Sequence, residues 1–253
     1  MWNKIRYILL TAQRDSLFFG LALAIIASTY VAFFLGSTAV VEEGQTSLVY
    51  SAGIARLVLI LGLVIFVSFH IRRSFENREI DLMLVHPISR STFIISYVIG
   101  YSLIALFFVL FTALVLYGFA FYAGAQPDIN GFAIWTSSVF LEAVIISALA
   151  MTASLILRST VVSVLLCLGF YVLSRMAGFV LMIVTKPGSV GVSYDSFAHI
   201  SKFVPRLDFF GKTEWLLYGF KSYEELYLFL AQAAIFITLL LSLAIYDFKK
   251  KEF

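Results

Sequence analysis

Two ionisable residues of this chain sit where charge is expensive. Glu142 lies inside the apolar run 132–157 and Arg175 inside the apolar run 161–184. Each falls about 14 Å along a helix from the same side of the membrane, counted from the start of 132–157 and from the finish of 161–184, at 1.5 Å per residue. An ionised side chain at the centre of a membrane helix costs about 2.5–3.5 kcal/mol on the insertion scale. Opposite charges at matched depth on consecutive helices are therefore expected to meet, directly or through a water. Such a pair can pin a helix hairpin or form a polar step on a path through the membrane. If it is purely a pin, exchanging the two charges should restore what either single reversal destroys. A further cation, Arg56, falls near the end of another apolar run and is expected to reach up to lipid head groups on its aliphatic stem.

The densest charge is elsewhere, in residues 75–100. Phe75 begins a stretch that carries Glu76, Arg78, Glu79, Asp81 and Arg90, with Arg72 and Arg73 just ahead of it. Charge at that density belongs in water. Ile80, Leu82, Leu84 and Val85 flank or alternate with it, and Pro87 ends the short amphipathic helix they imply, because proline lacks an N–H and biases His86 away from helix.

Other chemistries lack their residues. There is no Gly-x-x-x-x-Gly-Lys-Ser/Thr phosphate loop, no His-Glu-x-x-His and no Ser/His/Asp constellation. His70, His86 and His199 are scattered without ligand spacing, so no metal or other cofactor is expected. The one cysteine, Cys167, stands in an apolar run, which excludes an intrachain disulfide and suits a buried small hydrophobe. A non-catalytic protein is the expectation.

The elements that must hold these residues follow from composition. Of 253 residues 61% are hydrophobic and 13% charged, against about a quarter charged in soluble domains. Mean hydropathy is +0.97. The expected class is an all-α integral membrane protein, one transmembrane domain over 1–253. Six spans are predicted at about 17–35, 52–71, 93–122, 132–157, 161–184 and 226–245, each long enough for a hydrocarbon core of about 30 Å. Residues 1–15, with Trp2, Ile5, Ile8, Leu9 and Ala12 at helical spacing, read as an interfacial helix. Lys4 and Arg6 ahead of an apolar run also fit a secretory signal; the expectation adopted is a segment that is retained. Residues 36–51 read as a polar loop, and 186–225 as a long outer connection with aromatic and charged residues at a membrane interface. Ala143, Ser147, Ala150 and Ser154 form a small-residue face on the fourth span, suited to close helix contact.

Net charge +3 raises the question of nucleic acid, but the basic residues flank apolar spans, so none is expected as a partner. Their placement gives orientation. Lys4, Arg6 and Arg14, the 72–92 loop, Arg158 and Lys249 to Lys251 fall on one side; the two short loops opposite hold Glu42, Glu43 and Asp128 with no base. By the positive-inside tendency both termini and the 72–92 loop are cytoplasmic, while a connection as long as 186–225 translocates largely regardless of its charge.

An acidic segment at Glu76 and Glu79, the run Leu82-Met83-Leu84, then Pro87-Ile88-Ser89-Arg90 and an aliphatic stretch to Gly100 resembles the first cytoplasmic loop of ABC-2 type transporter permeases. Arg78-Glu79 stands where that family often has a Gly-Thr pair, and Tyr97 where it often has lysine. The resemblance implies a coupling helix between the second and third spans that docks on a separate ATPase subunit. Its contacts would come from Phe75, Glu76, Arg78, Glu79, Asp81, Leu82, Leu84, Pro87 and Arg90, the acids facing basic groups and Leu82, Leu84 and Pro87 seated in an apolar groove. It also implies six spans with both ends inside, and a re-entrant or interfacial helical hairpin between the last two, matched by 205–208 and 215–219. Implied partners are the ATPase, a second copy or a related permease, and membrane lipid. The implied role is export across the cytoplasmic membrane of a prokaryote. The alternative is an ATP-independent secondary transporter, or a membrane enzyme with its site near Glu142 and Arg175. The sequence does not name a substrate.

Overall fold

The computed structural model describes residues 2–39, 42–77, 90–125, 127–157, 159–184, 205–220 and 223–250. Its elements are α1 (Trp2–Arg14), α2 (Ser16–Gly36), α3 (Glu43–Glu76), α4 (Arg90–Tyr122), α5 (Ile129–Ile156), α6 (Thr160–Val184), a 3-10 turn (Leu207–Phe209), α7 (Trp215–Tyr218) and α8 (Tyr223–Lys250). Among the described residues no strand occurs, and six helices are long and apolar enough to cross a membrane.

Helix α1 is amphipathic as expected. It buries Ile5, Ile8 and Ala12 and lies across α4 and α2, with Ile8 fitted against the bare backbone of Gly100. The chain then turns at Asp15. Its Oδ1 accepts the Leu17 N–H at 3.0 Å and so caps α2; its Oδ2 accepts Arg73 Nη1 from the far end of α3 at 2.8 Å. Close by, Lys4 sits 4.7 Å over the Phe93 ring, and Phe93 stacks on Phe248 at 5.2 Å with planes 4° apart. This end of the bundle, where both terminal helices meet the C-terminal end of α3 and the start of α4, is called the terminal end below; the opposite one is the distal end.

Helices α2 and α3 form an antiparallel hairpin. The expected polar loop 36–51 is much shorter than predicted, because α3 already begins at Glu43. Packing explains the difference. Gly36 lets Ser47 come so close that a Cβ there would overlap the Ser47 backbone, and Ser47, Leu48, Ser51 and Ala52 are buried by that approach. With 34 residues α3 is about 51 Å long, and α4 with 33 is nearly as long. Both outreach a hydrocarbon core of about 30 Å.

Helix α5 is the axis. Of its most apolar stretch 72% is buried, against 22% for α2, 28% for α6 and 17% for α8. Its neighbours are α3, α4, α6, α7 and α8. The face of Ala143, Ser147, Ala150 and Ser154 is buried within this one chain. Small side chains there let several helices close on one.

Between α6 and α8, the described residues 205–220 are folded into the distal half of the bundle. Leu207, Phe210, Trp215 and Leu216 are buried, and the rings of Phe210 and Trp215 pack against Phe229 of α8. On the α5 side, the Gly131 backbone meets the Trp215 carbonyl, and Asp128 both caps α5 through the Gly131 N–H and donates its own N–H to the Leu216 carbonyl.

Candidate functional site: two arginines and one carboxylate beneath an inserted turn

The turn Leu207 to Gly211 reaches Ser138, whose Oγ accepts the Gly211 N–H at 2.9 Å. Ser138 lies about 14 Å along α5 from Ile129. Backbone that is not helical can sit at such depth only if its polar groups find partners inside the protein. Here two guanidinium groups supply them. Arg56 of α3 donates through Nη1 to the carbonyls of Phe210 at 3.1 Å and Gly211 at 2.5 Å. Arg175 of α6 donates through Nη1 to those of Leu207 at 2.5 Å and Phe210 at 2.8 Å. Gly211 takes φ +56°, and a Cβ there would strike the Arg56 guanidinium, so only glycine fits both demands.

Glu142 of α5 lies behind the two cations and is 0% exposed. Its Oε2 is 3.8 Å from Arg56 Nε and its Oε1 is 3.8 Å from Arg175 Nη1. The carboxylate acts as a counter-ion shared by the two arginines. The buried Tyr171 phenol of α6 faces the same group of charges. Two cations against one anion leave a positive excess, which the carbonyl dipoles of the turn partly offset.

The structure thus brings Glu142 and Arg175 together and adds a member that sequence reasoning had sent elsewhere. Arg56 does not reach for head groups; it is 7% exposed. It stands about 20 Å along α3 from Glu43, where the Phe210 and Gly211 carbonyls and the Glu142 carboxylate lie within its reach. Its signal in the sequence was a lone arginine in an apolar helix, read wrongly because the helix start was placed at 52 instead of 43.

Next to the triad, Arg206 and Asp208 pair at 2.8 Å. The Asp208 carboxylate occupies the space that a Cβ on Gly178 of α6 would take. Arg206 also covers the Phe209 ring at 4.2 Å. These contacts fasten the turn to α6.

At the terminal end, Phe75 packs half-buried on the core, and Glu76 accepts Arg72 Nε one turn back at 2.9 Å on the surface. Arg90 opens α4. Arg78, Glu79, Asp81, Leu82, Leu84 and Pro87 lie outside the described residues. His70 Nδ1 and the Tyr101 hydroxyl share a buried hydrogen bond of 2.9 Å, and Cys167 is buried. Among the described residues no three His, Cys, Asp or Glu side chains gather as metal ligands. Neither the family models nor the curated proteins match this chain.

Proposed function

We propose that this chain is the membrane subunit of an ATP-binding cassette exporter of the ABC-2 type. It would work with a separately made ATPase that docks on residues 72–92 from the cytoplasm, and with a second copy or a related permease, in the cytoplasmic membrane of a prokaryote. Support comes from the Glu76 to Gly100 pattern and from the placement of basic residues on the side of that loop. The observation that carries the reading furthest is the continuity of α3. One unbroken helix runs from the edge of the proposed docking segment, at Phe75 and Glu76, to Arg56, which grips the inserted turn. A push at its terminal end would reach the distal turn without crossing a soft joint. Bracing by Asp15–Arg73 and Phe93–Phe248 keeps neighbouring helices in step with it.

The test is co-purification and transport. Replacing Leu82 and Leu84 together by Asp should release the ATPase while the permease still inserts, because two carboxylates cannot enter an apolar groove without large desolvation cost. Transport by the purified chain with no nucleotide-hydrolysing companion would overturn the reading, in favour of an ATP-independent transporter built on Glu142 and Arg175.

A further inference from the structure

Helix α1 gives only one face to the bundle. Ile5, Ile8 and Ala12 are buried there, while Trp2, Arg6, Tyr7, Leu10 and Arg14 are exposed on the other side. With 3.6 residues per turn these exposed positions fall within one arc of about 140°. Large apolar side chains and cations interleave along it: Trp2 is 71% and Leu10 50% exposed. The whole helix holds no acidic residue.

Both arginines are unclaimed. Among the described residues neither Arg6 nor Arg14 takes part in a hydrogen bond, an ion pair or a ring contact. The acid that follows them, Asp15, is buried and already serves the Leu17 N–H and Arg73.

The position of the arc decides what it meets. Asp15 caps α2, and the apolar run of that span starts at Leu17, just past Arg14; Phe19 and Leu23 of the span are exposed, as lipid-facing residues are. Arg14 therefore stands at the edge of the hydrocarbon layer. Arg6 is about 12 Å further along α1, on the part of the helix that rests on α4 through Ile8 at Gly100 and Lys4 at Phe93. Water would leave Trp2 and Leu10 uncovered, and hydrocarbon would strip the guanidinium groups of their solvation. A layer of anionic head groups satisfies both kinds of side chain, because apolar groups enter the acyl boundary while arginine forks take phosphate oxygens.

We propose that the outward face of α1 seats on anionic phospholipid, with Arg6 and Arg14 on the head-group phosphates and Trp2 and Leu10 in the acyl boundary. A zwitterionic surface offers the same phosphates but sets an ammonium beside each, so it competes poorly. The proposal rests on the chain crossing a membrane and does not depend on an ATPase.

Trp2 itself is the probe, since the chain's other two tryptophans, Trp135 and Trp215, are buried. The purified full-length chain is placed in nanodiscs of phosphatidylcholine, brominated phosphatidylglycerol or brominated phosphatidylcholine is titrated in, and the emission that Trp2→Phe lacks is followed. Each arginine near an anionic surface favours it about fivefold. The brominated phosphatidylglycerol should therefore half-quench Trp2 at about a fifth, or less, of the mole fraction that brominated phosphatidylcholine requires. Arg6→Gln with Arg14→Gln should bring the two lipids to equal effect and leave the thermal midpoint in place, because both side chains are exposed. Arg6→Lys with Arg14→Lys should keep most of the preference. Equal quenching of the wild type by the two lipids, or a preference untouched by the glutamine pair, overturns the proposal. Trp2 quenched by acrylamide and by neither lipid would put the face in water; Trp2 shielded from acrylamide and lipid alike would put it under a protein, and either result is equally fatal.

Discussion

Glu142 serves two arginines, and that changes what its replacement does. With one partner, exchanging charges between 142 and 175 would restore the pair. With two, an arginine at 142 stands against Arg56, 3.8 Å from the present carboxylate. Glu142→Arg combined with Arg175→Glu should therefore fail to rescue folding, measured as the monodisperse fraction in detergent; full rescue would mean Arg56 is not part of the group. Glu142→Gln leaves two buried cations without a counter-ion and should lower stability by about 3–5 kcal/mol. A thermal midpoint unchanged from the wild type would refute it. The Glu142–Arg175 proximity was legible because the two helices are consecutive and the depths can be counted. The grip of Arg56 on Phe210 and Gly211 was not. No periodicity links residues so far apart in the chain, and an underestimated helix length put the arginine about one turn from an end rather than about three and a half.

The helices themselves were readable from length and apolarity, and their observed cores agree with the predicted spans. Ends were less so. Residues 43–51 carry Glu, Gly, Gln, Thr and Ser, which by propensity argue for a loop; their helix owes itself to close approach at Gly36. The depth of the inserted turn was not legible, since aromatic and charged residues mixed at 205–220 suit an interface as well as an interior. Its depth depends on one unadorned position. At Gly131 a Cβ would overlap the Trp215 carbonyl, so Gly131→Ala must push the turn outward and should cost about 1–3 kcal/mol. Gly118 of α4 has nothing within 4 Å, and Gly118→Ala should instead gain about 0.5–1 kcal/mol from helix propensity. Thermal unfolding of both variants in one detergent checks the contrast; equal shifts would show that the turn does not press on α5.

The whole bundle is arranged around α5, while α2, α6 and α8 turn much of their apolar surface outward. That distribution suits a chain solvated by lipid, where lateral faces need no water-compatible residues. The proposed orientation is open to direct measurement because the lone Cys167 is buried and should stay silent toward thiol reagents. In intact cells, Ser37→Cys should label with a membrane-impermeant maleimide, and Lys250→Cys, exposed at the end of α8, only after permeabilisation. The reverse pattern would put residues 72–92 outside and remove the proposed docking surface.

The Phe210 carbonyl oxygen takes a hydrogen bond from Arg56 on α3 and another from Arg175 on α6. One atom thereby measures the gap between two spans. Should those spans part, the oxygen can follow one of them and must let go of the other, so separating α3 from α6 and freeing the turn become a single mechanical event.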